Sequence, residues 1–268
     1  MTILCIHRAK RFSPKSEQRD EQIMQTVCHE LKNKGHHIIS CDEDDLEEFV
    51  KECSFEAVVS MARSIKAIQL LKTIYERGIK VFNKPSEMQL SRTVLLKWFM
   101  EHGIPMPQTQ IVTCYTATTV PYPFWVKQGG TGAQSCNDVM YVASPYDIGK
   151  IDFRESEYAI VAHTQGDLIK FYGVAETEFF FYYYPTEHPN SFSKFGHEAI
   201  NGIPRKTPFS LSELKNIANK AAQISGWTIY GGDAIITPQG EIHLIDFNDF
   251  PSFSTCYQEA ARAIARRV

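Results

Sequence analysis

The chain has no run of apolar residues that approaches a membrane span, no Cys-x-x-Cys pair, no marked excess of either charge, and no repeat or low-complexity tract. Each absence closes off a class. A spanning helix needs about 20 consecutive apolar residues. The opening Met-Thr-Ile-Leu-Cys-Ile-His-Arg is too short an apolar patch for a secretory signal and reads as a first strand. Seven cysteines, an odd number scattered without paired spacing, point to reduced thiols in a cytoplasmic protein and argue against a zinc site. A formal net charge of −3 offers no broad lure for nucleic acid or an anionic membrane surface, so neither is expected as a partner.

What is present is an ordinary globular chain. Its 268 residues can form one large domain or two to three small lobes around a real core. Through residue 85 strand and helix patterns alternate, which favours an α/β lobe with parallel neighbours. Ile3-Leu4-Cys5-Ile6, Ile38-Ile39, Ala57-Val58-Val59 and Ile79-Lys80-Val81-Phe82 read as strands. Residues 17–34, with Ile23, Val27 and Leu31 four apart and Gly35 as a stop, and residues 64–77 read as helices. Ser86-Glu87-Met88-Gln89 has the form of a capping box, which predicts a helix from there to His102-Gly103; Pro105 and Pro107 then mark a boundary between lobes.

Beyond that boundary the pattern is richer in strands. Phe124-Trp125-Val126-Lys127 and Val139-Met140-Tyr141-Val142 flank a small, polar stretch, residues 128–135, expected to be a mobile loop. Residues 158–184 read as long strands dense in aromatics. A helix capped by Ser210 and ending near Gly226, a hairpin, and a last helix over residues 258–267 complete the chain.

That hairpin, residues 230–253, is the most informative segment. Two apolar strands meet at Pro238-Gln239-Gly240, yet acids and an amide occupy places where core residues would normally stand. Asp246 and Asn248 are two apart and so share a face. If Ile236 lies opposite Glu241, Asp233 lies opposite Leu244 and diagonal to Asp246, about 7–8 Å away. Three hard oxygen donors on one face suit Mg²⁺, whereas a three-residue loop would flip Asp233 to the other face. Asp and Asn also serve simply as turn formers.

Other residues carry charge where phosphates could bind. Lys127 leaves a strand into Gly129-Gly130-Thr131-Gly132, glycines whose backbone N–H groups can approach an anion; the spacing is not that of a Walker A loop, and a plain glycine-rich hairpin loop is the alternative. Lys170 is an isolated charge in an otherwise apolar strand, either partnered in the core or facing outward on an edge strand. Arg92 begins the helix that leads into Gly103-Ile104-Pro105-Met106-Pro107, and exposure to solvent would explain it equally well.

In this order the pieces resemble the ATP-grasp superfamily over residues 83–254. Asn83 to Thr109, Val126-Lys127 with its glycine loop, Val161-Ala162-His163 as the adenine hinge, Lys170, and the acid-x-Asn motif of Asp246 and Asn248 downstream of Asp233 look like that family's successive elements. The resemblance is to carboxylate–amine ligases of the ribosomal-protein glutamate ligase and glutathione synthetase type, with a metal motif similar to that of inositol polyphosphate kinases. The hinge departs from the family in having Val161-Ala162 where Gln-Glu is common, which leaves Asp167 to meet the ribose.

The resemblance implies an N-terminal α/β lobe over residues 1–85 and an ATP-grasp domain over residues 86–268. The latter divides into a nucleotide lobe, about 108–163, and a metal-binding lobe, about 164–268. ATP is then the substrate, contacted by Arg92, Lys127, Gly129, Gly130, Thr131, Gly132, Val161, Ala162, His163, Asp167 and Lys170. Asp233, Asp246 and Asn248 hold Mg²⁺, with Mn²⁺ as the alternative ion. The implied reaction joins a small-molecule or peptide carboxylate, activated as an acylphosphate, to an amine. Lys170 and Arg205 are catalytic, and His197 and Ser252 are further candidates on the acceptor side. A small-molecule kinase and a non-catalytic ATP-binding regulator are the other readings, and the basic cluster His7, Arg8, Lys10 and Arg11 is modest for a kinase of polyphosphates. The oligomeric state stays open.

Overall fold

A computed structural model describes residues 1–113, 118–130, 138–151, 153, 157–188 and 196–268. Three four-stranded sheets carry the chain. The first holds β1 (Thr2–His7), β2 (His37–Asp42), β3 (Ala57–Ser60) and β4 (Lys80–Phe82) in the order β2-β1-β3-β4, all parallel. Helices α1 (Glu17–Asn33), α2 (Leu46–Glu52) and α3 (Ile65–Glu76) make the crossovers that parallel neighbours require. As such a sheet is covered on both faces, β3 is buried at all four residues and β1 at its four central ones.

After α4 (Arg92–Glu101) the second sheet is antiparallel, with β5 (Thr109–Val112), β6 (Phe124–Gln128), β7 (Val139–Val142) and, beyond the short α5 (Pro145–Ile148), β8 (Tyr158–Ala162) in the order β5-β8-β6-β7. The third sheet follows, with β9 (Asp167–Val174), β10 (Phe180–Tyr183), β11 (Ile229–Ile236) and β12 (Ile242–Asp249) in the order β10-β9-β11-β12. Helix α6 (Leu211–Ser225) interrupts its strands and α7 (Tyr257–Arg267) ends the chain on α1. No helix among the described residues is long and apolar enough to cross a membrane.

The third sheet sorts its side chains by alternation. Ile169, Phe171, Tyr230, Ala234, Leu244 and Phe247 point into a core shared with α4 and α6. The opposite face carries Lys170, Asp233, Asp246 and Asn248 among apolar Leu168, Val174, Ile229 and Ile235. Tyr172 on β9 and Tyr183 on the edge strand β10 join the core formed by α1, α7 and the first sheet, which ties that lobe to the third sheet.

Two expectations change. The helix expected from residue 86 starts at Arg92, capped by Ser91 Oγ on the Val94 N–H. The Ser86–Gln89 box closes only a single turn, Glu87–Gln89, because the Gln89 amide also donates to Asp249 Oδ2 at 2.9 Å and is held away from the α4 axis. Helix α2 was not foreseen; at seven residues it is too short to show a clear period.

Candidate functional site

The hairpin joining β11 and β12 does have the three-residue loop that would have moved Asp233 off the metal face. Thr237 N–H donates to Glu241 O at 2.9 Å across Pro238, Gln239 and Gly240, and Ile236 pairs with Ile242. In unbroken register Asp233 would oppose Ile245. A β-bulge between Asp233 and Ala234 in the ladder takes up Ile245 as the extra residue, so that Asp233 pairs directly with Asp246 and Gly231 with Asn248. The expected pairing of Asp233 with Leu244 is therefore corrected, while the sharing of one face by Asp233, Asp246 and Asn248 arises by another route.

The bulge also frees a carbonyl. Ile245 O accepts from Lys127 Nζ at 2.7 Å, across the cleft from the second sheet. Thus the irregularity that aligns the acids also anchors the lysine.

Cross-strand pairing lines up Tyr183, Lys170, Asp233 and Asp246 in one row over all four strands. Lys170 Nζ sits 3.3 Å from Asp233 Oδ2 and 3.2 Å from Glu198 Oε1. Asn248 Nδ2 donates to Asp246 Oδ2 at 2.9 Å. Gly231 is required beside this row: a Cβ there would stand 2.7 Å from Tyr172 Cδ1 and 2.8 Å from Pro251 Cγ.

The electrostatics separate the two lysines. Burial pulls the Lys127 ammonium down to about 8, only partly offset by Asp246. Burial acts on Lys170 too, but Asp233 and Glu198 outweigh it and raise the ammonium above its ordinary value. Burial raises the Asp233 carboxyl despite Lys170. It would raise Asp246 as well, yet Lys127 and Arg92 bring that carboxyl below the usual range.

These groups line a cleft of about 350 Å³ between the second and third sheets, which the first lobe also borders. Arg92, Lys127, Val161, Ala162, His163, Lys170, Asp233, Asp246, Asn248, His197 and Ser252 all face it. At the hinge, Trp125 Nε1 donates to His163 Nδ1 at 3.3 Å, and burial lowers the imidazole.

Several expected contacts lie elsewhere. Asp167 does not line the cleft; its carboxylate accepts from the Arg205 and Thr207 N–H groups, each at 2.7 Å, and so pins that loop. Those bonds hold it below the usual carboxylate range against the pull of burial. Arg205 likewise does not line the cleft. Gly129 and Gly130 turn their carbonyls to the start of α4, where Gly129 O accepts from Ser91 Oγ at 3.0 Å and Gly130 O from the Arg92 N–H at 3.3 Å. Gly129 has no room for a side chain, since a Cβ would lie 2.6 Å from Glu157 O. Thr131 and Gly132, with most of the expected loop, lie outside the described residues. Of the basic cluster only Arg8 reaches the cleft; Arg11 pairs with Asp44 at 2.6 Å and His7 with Glu21 at 3.0 Å.

Sequence reading missed Arg63, Glu198, Tyr172 and Tyr183, which also line the cleft. The signal available for the tyrosines was their two-residue spacing from Lys170 and Phe181. Nothing local marked Arg63 or Glu198.

The donor set suits a hard divalent cation. Two carboxylates and an amide oxygen converge, and Asn248 Oδ1 has no hydrogen-bond donor among the described residues. No cluster of three His, Cys, Asp or Glu suited to a metal occurs among the described residues.

No protein-family model matches the chain, and no curated protein does. Solved structures do match. The RimK domain ATP-grasp protein from Sphaerobacter thermophilus shares 15% identity at a TM-score of 0.70, over 99% of this chain and 98% of that one. For N5-carboxyaminoimidazole ribonucleotide synthetase from Thermotoga maritima the values are 17% and 0.67, over 98% and 75%. For D-alanine–D-alanine ligase from Bacillus anthracis complexed with ATP they are 13% and 0.64, over 100% and 98%. A parallel sheet, two antiparallel sheets and a cleft between them, matched along nearly the whole chain, give this protein the ATP-grasp fold.

Proposed function

We propose that the protein is an ATP-dependent ligase that joins a carboxylate to an amine or similar nucleophile. The observation that carries this reading is the row of Lys170, Asp233 and Asp246 facing Lys127 across one cleft, in a fold shared with C–N ligases. Phosphoryl transfer asks a protein mainly to position its reactants and stabilise charge, and this is an inventory for that task.

Val161, Ala162 and His163 form the edge that would meet the adenine. Lys127 and Arg92 would take the phosphates, and the depressed ammonium of Lys127 is the more suited to an anion for lacking a carboxylate within bonding distance. Asp233, Asp246 and Asn248 would hold Mg²⁺, which supplies a counter-charge to the phosphates. Lys170, kept protonated by Asp233 and Glu198, remains a fixed positive charge beside the transferred group. The terminal phosphoryl group passes to the carboxylate oxygen, giving ADP and an acylphosphate. The amine nitrogen then attacks the acyl carbon, and as the C–N bond forms the C–O bond to phosphate breaks, with inorganic phosphate and the nitrogen's proton released.

ADP and phosphate are expected only when acid and nucleophile are both present in a pooled screen. ADP formed together with a stable phosphorylated small molecule would replace this reading with that of a kinase.

A further inference from the structure

The part of the cleft that borders the first lobe is walled by Arg8, just past β1, and Arg63, just past β3, with Tyr172, Ser252 and Ser254 nearby. Each guanidinium is held by an acid and by main-chain oxygen. Arg8 bonds Asp20 at 3.0 Å and the carbonyls of Met61 and Phe250 at 3.1 and 2.8 Å. Arg63 commits only Nη2, to the Asp249 carboxylate at 2.6 Å and its carbonyl at 3.1 Å.

Arg63 therefore has work left. Its Nε and Nη1 have no acceptor among the described residues, although the side chain is only 14% exposed. A guanidinium cannot shed its charge, and these donors, facing the cleft, are free to take oxygens that a ligand brings. Burial also drags the Arg63 group below its ordinary value, which is the mark of that desolvation.

The chemistry selects the ligand. Planar guanidinium N–H groups match the two oxygens of a carboxylate, and the Ser252, Ser254 and Tyr172 hydroxyls can add donors. Asp20 and Asp249 already balance the two arginines, so a single negative charge fits better than a doubly charged phosphate. The charges assigned to the reacting phosphate, Lys127, Lys170 and Arg92, come from other elements.

Resting on the ligase reading above, we propose that Arg63, backed by Arg8, binds a carboxylate that does not react. It belongs either to the acid substrate, as a second carboxyl group, or to the nucleophile, as that of an amino acid. Such a group would fix which end of the substrate points at ATP.

Matched pairs separate the two sources. Calorimetry on the full chain, with Mg²⁺ and a non-hydrolysable ATP analogue present, compares succinate with propionate, glutarate with butyrate, and L-alanine with ethylamine. In at least one pair the member with the extra carboxylate should bind at least about tenfold more tightly, as one charge-assisted hydrogen-bond pair allows. Arg63→Gln should cancel that preference and leave affinity for the ATP analogue unchanged; if it does not fold, Arg8→Gln is read in the same way. No preference in any pair on the wild type, or one that survives both substitutions, overturns the proposal. A preference without ADP release from any acid and amine with ATP sinks the ligase reading and leaves the subsite standing. Equal ADP release with propionate and ethylamine as with their carboxylate-bearing partners sinks the subsite alone.

Discussion

Two lysines face each other across the cleft, both withdrawn from water, and they differ in every property that follows from their partners. Lys170, on β9, sits between two carboxylates and is held charged. Lys127, on β6, rests on a neutral carbonyl and is pushed down to about 8. Burial penalises both ammonium groups. The sign of the outcome is set by what lies within hydrogen-bond reach. Lys170 is thus balanced by carboxylates at hydrogen-bond distance, whereas Lys127 meets Asp246 only through the longer-range field.

The sharpest way to break this contrast is to remove each charge in turn. Lys170→Met leaves the partly buried Asp233 and Glu198 without their cation and should destabilise the fold by about 3 kcal/mol in urea unfolding. A Lys170→Met protein as stable as wild type would contradict the assignment. Lys127→Met removes a desolvated charge bonded to a carbonyl and leaves Asp246 with Arg92 as a remaining counter-charge, so the stability loss should be smaller than in Lys170→Met, while ATP turnover falls roughly 10²- to 10³-fold. An equal stability loss in both variants would erase the distinction.

pH sharpens it further. Because Lys127 titrates near 8 when folded and near its ordinary value when unfolded, the unfolded chain holds the extra proton between those values. This group's contribution to stability therefore rises as pH climbs through that window. Bound phosphates would restore the proton, so ATP affinity should fall as pH rises above about 8, with proton uptake visible by calorimetry in buffers of different ionisation enthalpy. In Lys127→Arg that dependence should vanish. Lys170, with its raised ammonium, should add nothing to the profile there.

The smallest effect belongs to Asp167, which serves a loop rather than the cleft. Asp167→Asn should cost about 1–2 kcal/mol of stability through its two backbone bonds, with ATP affinity unchanged. A large loss of ATP affinity would return this residue to the ribose.

What the sequence made legible follows from range. Strand and helix patterns were readable because alternation and four-residue spacing are local, and Lys170 was conspicuous as one charge among Leu168, Ile169, Phe171 and Tyr172. The bulge was half visible. Apolar Ile242 and Leu244 give way to Phe247, a slip from even to odd positions that only an extra residue explains, yet the loop length needed to use it was not fixed by Pro238-Gln239-Gly240 alone. Arg63 was invisible because its partner Asp249 lies 186 residues away in the chain. The same holds for Gln89, whose capping signal was real but whose amide is committed to that distant aspartate.

On the proposed reading Asp233, Asp246 and Asn248, aligned by the Ile245 bulge, bind ATP through a divalent cation opposite Lys127. Calorimetric titration of ATP with and without Mg²⁺ into the wild type and Asp246→Ala tests it most directly. Binding should depend on Mg²⁺ in the wild type and lose that dependence in the variant. Tight ATP binding that ignores both the ion and the substitution would contradict it.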